Sequence, residues 1–187
     1  SLPLGMLITL LRMSKNKVVS GVTRFVIAVL RGTPLMLQLL AVTYGPYYLF
    51  GMAVAKNKLI PVVIAFAINY AAYFAEIYRG GLESIPRGQY EAAQVLGYTK
   101  AQTFFKIILP QMVKRVIPAV TNEVITLVKD TSLANTIANK EIIMMAKEYS
   151  AKGLIWPLFS TALFFLVFVG AMTLLFNWLE KKLSYFR

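Results

Sequence analysis

Glu123 is the ionisable side chain whose position in this sequence points most directly to chemistry. It lies in a largely apolar helical segment, about 20 Å along the helix from Pro110, with Asn122 beside it and Thr126 on nearly the same face. If this segment crosses a membrane, Glu123 lies near the middle of the bilayer. A carboxylate is costly there and is a candidate for function by default.

Two interpretations of Glu123 stay open on the sequence alone. Its carboxylate, together with Asn122 and Thr126, would suit a cationic group on a substrate. Alternatively, it would pair within the protein, either with Arg115 or Lys129 or with a second subunit. The first interpretation predicts a binding site and the second a structural contact.

A second set of polar side chains follows the uncharged run Leu59–Ala75. Asn69 and Tyr73 are four residues apart and share a helical face, so they either line a path through the protein or pack in its core. Glu76 and Arg79 are three residues apart and are predicted to pair on one face of the helix.

Other kinds of site are excluded by what the sequence lacks. It contains 0 His and 0 Cys, so imidazole and thiolate groups are unavailable for a metal site or for nucleophilic catalysis. It also lacks the G-x-x-x-x-G-K-[ST] pattern that cradles the phosphates of ATP. We therefore predict no catalytic residues, no metal and no cofactor in this chain, and we do not expect it to be an enzyme.

The composition is that of a membrane protein. Of the 187 residues, 58% are hydrophobic, and the mean hydropathy is +0.63. Soluble domains average about 45–50% apolar residues. The net charge of +12 would suit nucleic acid, but the basic residues lie between long apolar runs, as they do at the flanks of membrane spans. We therefore expect a lipid bilayer as the environment and no nucleic-acid partner.

The apolar runs predict an all-α fold of five membrane spans in a single domain, residues 1–187. A pair of residues, Gly45-Pro46, interrupts the second span and predicts a kink or an early stop there. Val18–Leu30 reads instead as an amphipathic helix that leads into that span. The first predicted span, Ser1–Leu11, is incomplete, and we expect its beginning to lie outside this sequence. The other four are Gly32–Ala55, Leu59–Ala75 with an extension to Arg79, Pro110–Val128, which is weaker, and Gly153–Leu179.

The basic residues favour one orientation across the membrane. With the N-terminus outside and the C-terminus inside, fourteen of the 20 basic residues lie on the inner side, Arg187 among them. The six on the outer side are Lys56, Lys58, Lys129, Lys140, Lys147 and Lys152. Because Lys and Arg are enriched on the cytoplasmic side, this orientation is preferred to its mirror image.

The loop at about 80–110, cytoplasmic in this orientation, has the pattern of two short helices joined by a glycine. The first follows Pro86, and Gly97 takes the position of a helix-ending residue. Thr99 and Gln102 form a capping box that starts the second helix, which Pro110 would end or bend. We call residues 87–108 the elbow. Such an elbow on a membrane surface suits docking into a partner, with Ala92 and Ala93 allowing close approach; alternatively, the two alanines only raise the helix propensity of the segment.

The elbow carries the sequence Glu91-Ala92-Ala93, then Gly97, then Ile107, and Leu109-Pro110 follows directly after it. This resembles the EAA signature of ABC importer permeases at every position. Further matches resemble the polar amino acid subfamily: Arg31-Gly32-Thr33-Pro34, Ala75-Glu76-Ile77, Arg79-Gly80-Gly81, Ser84-Ile85-Pro86, Gly88-Gln89, Asn122-Glu123 and Lys129-Asp130-Thr131-Ser132-Leu133.

The resemblance implies a type I ABC importer permease fold, truncated in its first helix, in the inner membrane of a bacterial cell. It also implies that Glu91, Ala92, Ala93 and Gly97 couple the chain to an ATP-binding subunit. The partners implied are two ATP-binding subunits that hold ATP and Mg, a second permease subunit and an extracellular solute-binding protein.

The substrate implied by the resemblance is a polar amino acid. We expect a basic one, such as arginine, lysine or histidine, with glutamine or another polar amino acid as the alternative. The residues expected to meet it are Glu123, Asn122, Thr126, Asn69 and Tyr73. A secondary transporter is the rival class, but such proteins are often built from internal repeats, and none is visible here.

Overall fold

The computed structural model describes residues 1–183, and Arg187 lies outside them. Residues 1–183 are helical, without a strand. The helices are α1 (Leu2–Arg12), α2 (Lys17–Gly32), α3 (Leu35–Phe50), α4 (Leu59–Glu83), α5 (Arg87–Val95), α6 (Lys100–Thr103), a π-helical segment (Phe104–Ile108), α7 (Leu109–Asp130), a 3₁₀ helix (Thr131–Ile137), α8 (Ile142–Ser150) and α9 (Trp156–Leu183).

Two of these helices, α4 and α9, are long and apolar enough to cross a membrane. The α2–α3 pair also passes this test as a single span that is bent by 106°. The helix α7 has 22 residues, long enough to cross the roughly 30 Å of hydrocarbon, but it carries several charges. The five-span count therefore stays a prediction, whereas the all-helical membrane fold is confirmed.

The break between α2 and α3 lies at Thr33-Pro34 and not at Gly45-Pro46. Thr33 has extended backbone, with ψ of 143°, because the residue before a proline is forced out of the helical region. Pro34 is extended as well, with ψ of 133°. The helix α3 runs through Pro46 and ends at Phe50. There Gly51, with φ of 65°, donates its N–H to the Tyr47 carbonyl.

The core forms where α1, α3 and α7 pack around α4. The aromatic rings of Phe66, Tyr70 and Phe74 follow one another along α4: the first pair is stacked with centroids 6.1 Å apart, and the second is tilted by 44° with centroids 6.3 Å apart. On its other side, α1 approaches so closely that a Cβ on Gly5 would lie 2.7 Å from Cβ of Phe74. Thr9 then donates to the Ala75 carbonyl at 3.1 Å and fixes the two helices together.

The apolar face predicted for α2 is confirmed, and it points away from the rest of the chain. Val18, Val22, Phe25 and Val29 are all exposed. Most of α9 is also exposed, including Phe164 and Leu166. Apolar surface of this extent requires lipid or another subunit to cover it.

Candidate functional site

Side chains from two other helices form hydrogen bonds to the C-terminal end of α2, where the chain breaks before α3. Gln38 of α3 donates its amide Nε2 to the Leu30 carbonyl at 2.7 Å and to Thr33 Oγ1 at 2.9 Å. Asn69 of α4, which is buried, donates to the same Leu30 carbonyl at 3.3 Å and to Gln38 Oε1 at 3.0 Å. These bonds satisfy backbone groups that the break leaves without helical partners.

A cavity of about 520 Å³ lies beside this break. Pockets for small molecules are typically about 300–1,000 Å³, so the volume is sufficient for an amino acid. It is lined by Arg31, Gly32, Thr33, Pro34, Leu35, Asn69, Tyr70, Tyr73, Glu123, Thr126, Asp130 and Leu133.

Four of the five predicted substrate residues meet in this cavity: Asn69, Tyr73, Glu123 and Thr126. The fifth, Asn122, is exposed and does not line the cavity. Adjacent residues in a helix are about 100° apart around the axis, so Asn122 and Glu123 point in different directions. The backbone of Asn122 does contact a cavity residue, because its carbonyl accepts a hydrogen bond from Thr126 Oγ1 at 2.9 Å.

The cavity contains charges of both signs. The guanidinium carbon of Arg31 lies 5.0 Å from the centroid of the Tyr73 ring, a cation–π distance. The charge of Arg31 also acts on Glu123 through space, but no ion pair within 4.0 Å involves Glu123 among residues 1–183. The internal pairing considered for Glu123 is therefore not formed with Arg115, which donates instead to the Ser84 carbonyl, or with Lys129.

Eight of the twelve residues that line the cavity were not predicted as site residues, and Arg31, Tyr70 and Asp130 are the ones among them with the strongest polar groups. Arg31 entered the sequence analysis only as part of a motif, although the Pro34 that breaks the helix was the signal that could have placed it at a helix end. Tyr70 and Asp130 meet through a 2.8 Å hydrogen bond from the Tyr70 hydroxyl to Asp130 Oδ2. Asp130 makes no side-chain cap to the following 3₁₀ helix. In residues 1–183, no three acidic, His or Cys side chains group closely enough to hold a metal ion.

The elbow forms as the local sequence predicts. Gly97 ends the first helix with a φ of 76°, and Thr99 and Gln102 make both hydrogen bonds of the capping box, at 3.3 and 2.9 Å. Glu91 and Ala92 are exposed. Ala93 is 1% exposed, so the close approach to a partner expected of both alanines applies to Ala92 alone. Ala93 packs inside the elbow instead.

Pro110 does not end the second elbow helix. The π-helical segment intervenes, in which the N–H of Leu109 donates to the carbonyl of Phe104, and α7 continues from there. A proline has no N–H and crowds the preceding turn, so a regular α-helical turn is disfavoured directly before Pro110. The elbow therefore joins α7 without a loop.

A charged cluster fixes the end of α4 near the elbow. The predicted Glu76–Arg79 pair is confirmed at 2.7 Å, and Arg79 also reaches Glu83 at 2.5 Å. From α1, Arg12 adds a contact to Glu76 at 3.6 Å. None of these side chains lines the cavity, although the charge of Arg31 acts on Glu76 through space as it does on Glu123.

Comparison with known families shows which family this chain belongs to. Residues 1–185 match the family described as "Binding-protein-dependent transport system inner membrane component". The chain belongs to this family. Its all-helical architecture is that of a type I ABC importer permease, and the family is one of membrane permeases rather than enzymes.

Individual relatives in this family are named for different amino acids. The chain is 39% identical over 152 residues to the L-cystine transport system permease protein of Bacillus subtilis, covering 81% of this chain and 63% of that protein. It is 29% identical over 184 residues to a putative glutamine transport system permease protein of Rickettsia felis, covering 97% and 84%. It resembles a crystal structure of an amino acid ABC transporter with histidines, with a TM-score of 0.86, 33% identity, and coverage of 97% and 84%.

Proposed function

We propose that this chain is the membrane-spanning permease subunit of an ATP-driven importer for polar amino acids. The observation that carries the proposal is the continuous helix from the elbow to the cavity. The exposed elbow suits a partner that supplies energy, and Glu123 and Thr126 lie on α7, which begins where the elbow ends. Movement of a docked partner would therefore reach the substrate cavity through one helix.

The substrate we propose is a basic amino acid, such as arginine, lysine or histidine. The carboxylate of Glu123 would bind either the α-ammonium that all amino acids share or a basic side chain. The similar transporter with histidines favours this assignment. Glutamine or another polar amino acid is the alternative, which the glutamine and cystine names of the two relatives favour.

The partners we propose are two ATP-binding subunits, a second permease subunit and an extracellular solute-binding protein. The ATP-binding subunits would hold ATP and Mg, since this sequence contains no phosphate loop. Glu91 and Ala92 would contact such a subunit directly. Ala93 and Gly97 would fix the shape of the elbow on which that contact depends.

We place the chain in the inner membrane of a bacterial cell, with its N-terminus outside and its C-terminus in the cytoplasm. This orientation places the elbow in the cytoplasm, where ATP is available. It also follows the distribution of basic residues.

The test is transport by the reconstituted complex. The chain is expressed with its ATP-binding subunit, solute-binding protein and any second permease subunit, then placed in liposomes and assayed for uptake of labelled amino acids. We expect uptake that requires ATP on the side of the liposome membrane where the elbow lies. Ionophores that collapse ion gradients should not affect it. Uptake by the permease chain alone, driven by an ion gradient, would instead identify the rival class, a secondary transporter.

A further inference from the structure

We propose that Arg31 binds the α-carboxylate of the transported amino acid, so that the cavity accepts amino acids and rejects the corresponding amines. This inference rests on the proposed function and assigns a role to the Arg31-Gly32-Thr33-Pro34 motif. That motif lines the cavity, and neither the elbow nor the core accounts for it.

The helix break places Arg31 at the cavity. Arg31 is the second-to-last residue of α2, and the chain then turns through 106° into α3. Asn69 and Gln38 secure the Leu30 carbonyl one residue earlier, so the backbone that carries Arg31 is held from two helices. The residue is therefore anchored at its backbone while its side chain faces the cavity.

The environment of the guanidinium leaves its hydrogen-bond donors available. Tyr73 lies 5.0 Å away as a cation–π partner, and such a ring covers a face of the guanidinium without using its N–H groups. Within residues 1–183, the Arg31 side chain donates no hydrogen bond and has no carboxylate within 4.0 Å. A guanidinium in this state can bind a carboxylate through two parallel hydrogen bonds.

The other charges in the cavity match the rest of an amino acid. Glu123 of α7 interacts with the charge of Arg31 without forming an ion pair. A zwitterion would fit between them, with its carboxylate toward Arg31 and a cationic group toward Glu123. Asp130, the second acid that lines the cavity, already accepts a hydrogen bond from the Tyr70 hydroxyl. Arg31 is the one cationic side chain in the lining of the cavity.

The experiment compares an amino acid with the amine that lacks only its carboxylate. The assembled permease and ATP-binding subunits, without the solute-binding protein, are placed in nanodiscs, and binding is measured by calorimetry. The probe pairs are L-arginine with agmatine, L-glutamine with 4-aminobutanamide, and L-cystine with cystamine. For the pair whose amino acid binds, we divide the dissociation constant of the amine by that of the amino acid. This ratio is then compared between the unaltered complex and its variants.

We expect the Arg31→Gln substitution to reduce the preference for the amino acid by about 10- to 150-fold, the range for one hydrogen bond to a charged group. Arg31→Lys keeps the charge but loses the planar fork, so it should retain part of the preference. Arg24→Gln is the matched control, because Arg24 lies on the same helix, two turns earlier, and does not line the cavity. It should leave the ratio unchanged.

The outcomes separate this inference from the proposed function. If an amino acid binds and Arg31→Gln lowers the affinity for both members of the pair equally, Arg31 is only a counter-charge and the inference is wrong. If the unaltered complex binds the amine as tightly as the amino acid, the inference is wrong whether or not the variants assemble. If no amino acid binds the cavity of the folded complex, the proposed function itself fails.

Discussion

Replacement of Gly81 by alanine should destabilise the protein, whereas the same change at Gly80 should not. Both glycines lie in the last two turns of α4. A Cβ on Gly81 would lie under 3.0 Å from Cγ1 of Val116 and 3.3 Å from Cγ of Met112, both on α7. A Cβ on Gly80 meets nothing within 4 Å in this chain. Gly81 therefore permits the close packing of α4 against α7, and Gly80 has no such role.

The expected magnitude follows from two opposing effects. Overpacking of a core costs about 1–3 kcal/mol. Val116 cannot easily yield, because it is 6% exposed and a β-branched side chain strongly prefers one rotamer in a helix. Alanine also stabilises a helix relative to glycine by about 0.5–1 kcal/mol, and it does so at both positions. The difference between Gly81→Ala and Gly80→Ala should therefore equal the overpacking cost alone, about 1–3 kcal/mol.

The assay is unfolding of the purified complex in detergent, followed by melting temperature and by denaturant. A third variant tests the cause: Val116→Ala removes the methyl groups that the new Cβ would meet. Gly81→Ala combined with Val116→Ala should be less destabilised than the sum of the single variants, since the clash is absent. Equal stabilities of Gly80→Ala and Gly81→Ala, or strict additivity with Val116→Ala, would refute the packing argument.

Three further predictions concern the proposed function. Glu123→Gln should weaken substrate affinity by about 10- to 150-fold in a folded complex, measured by calorimetry; a lower melting temperature with unchanged affinity would make Glu123 structural. Glu91→Ala should weaken co-purification with the ATP-binding subunit, or the stimulation of its ATPase by substrate, while leaving affinity in the cavity unchanged; reduced affinity with normal coupling would contradict the elbow assignment. Single cysteines at Gln94 and Lys182 should react with an impermeant thiol reagent only from the cytoplasmic side, and one at Lys56 only from outside. The reverse labelling of Gln94 and Lys56 would invert the orientation.

Features that depend on neighbouring residues could be predicted from the sequence. The amphipathic helix α2, the Glu76–Arg79 pair and the cap between Thr99 and Gln102 each involve groups within one or two helical turns. Helical geometry alone fixes which of those side chains can meet. The elbow and the likeness to the permease family followed from the same local patterns.

Features that depend on how helices pack could not be predicted. Nothing in the sequence distinguishes Gly80 from Gly81, because the difference is the position of Val116 on another helix. The burial of Ala93 depends on the second elbow helix folding back over the first. The placement of Arg31 and Glu123 in one cavity requires a helix break at Pro34, and in the sequence the Gly45-Pro46 pair of the same run was the more conspicuous candidate for that break.

The π-helical segment has a consequence for how the elbow and the cavity are aligned. A π turn accommodates one more residue than an α turn, and each residue advances a helix by about 100° of rotation. If the same residues Phe104–Ile108 formed regular α-helix instead, the additional residue would no longer be absorbed, and everything downstream would be rotated by about 100°. Glu123 would then face away from Arg31 even though every side chain of the cavity was still present. The single additional residue before Pro110 thus sets the rotation of the cavity residues of α7 about the helix axis, relative to the elbow.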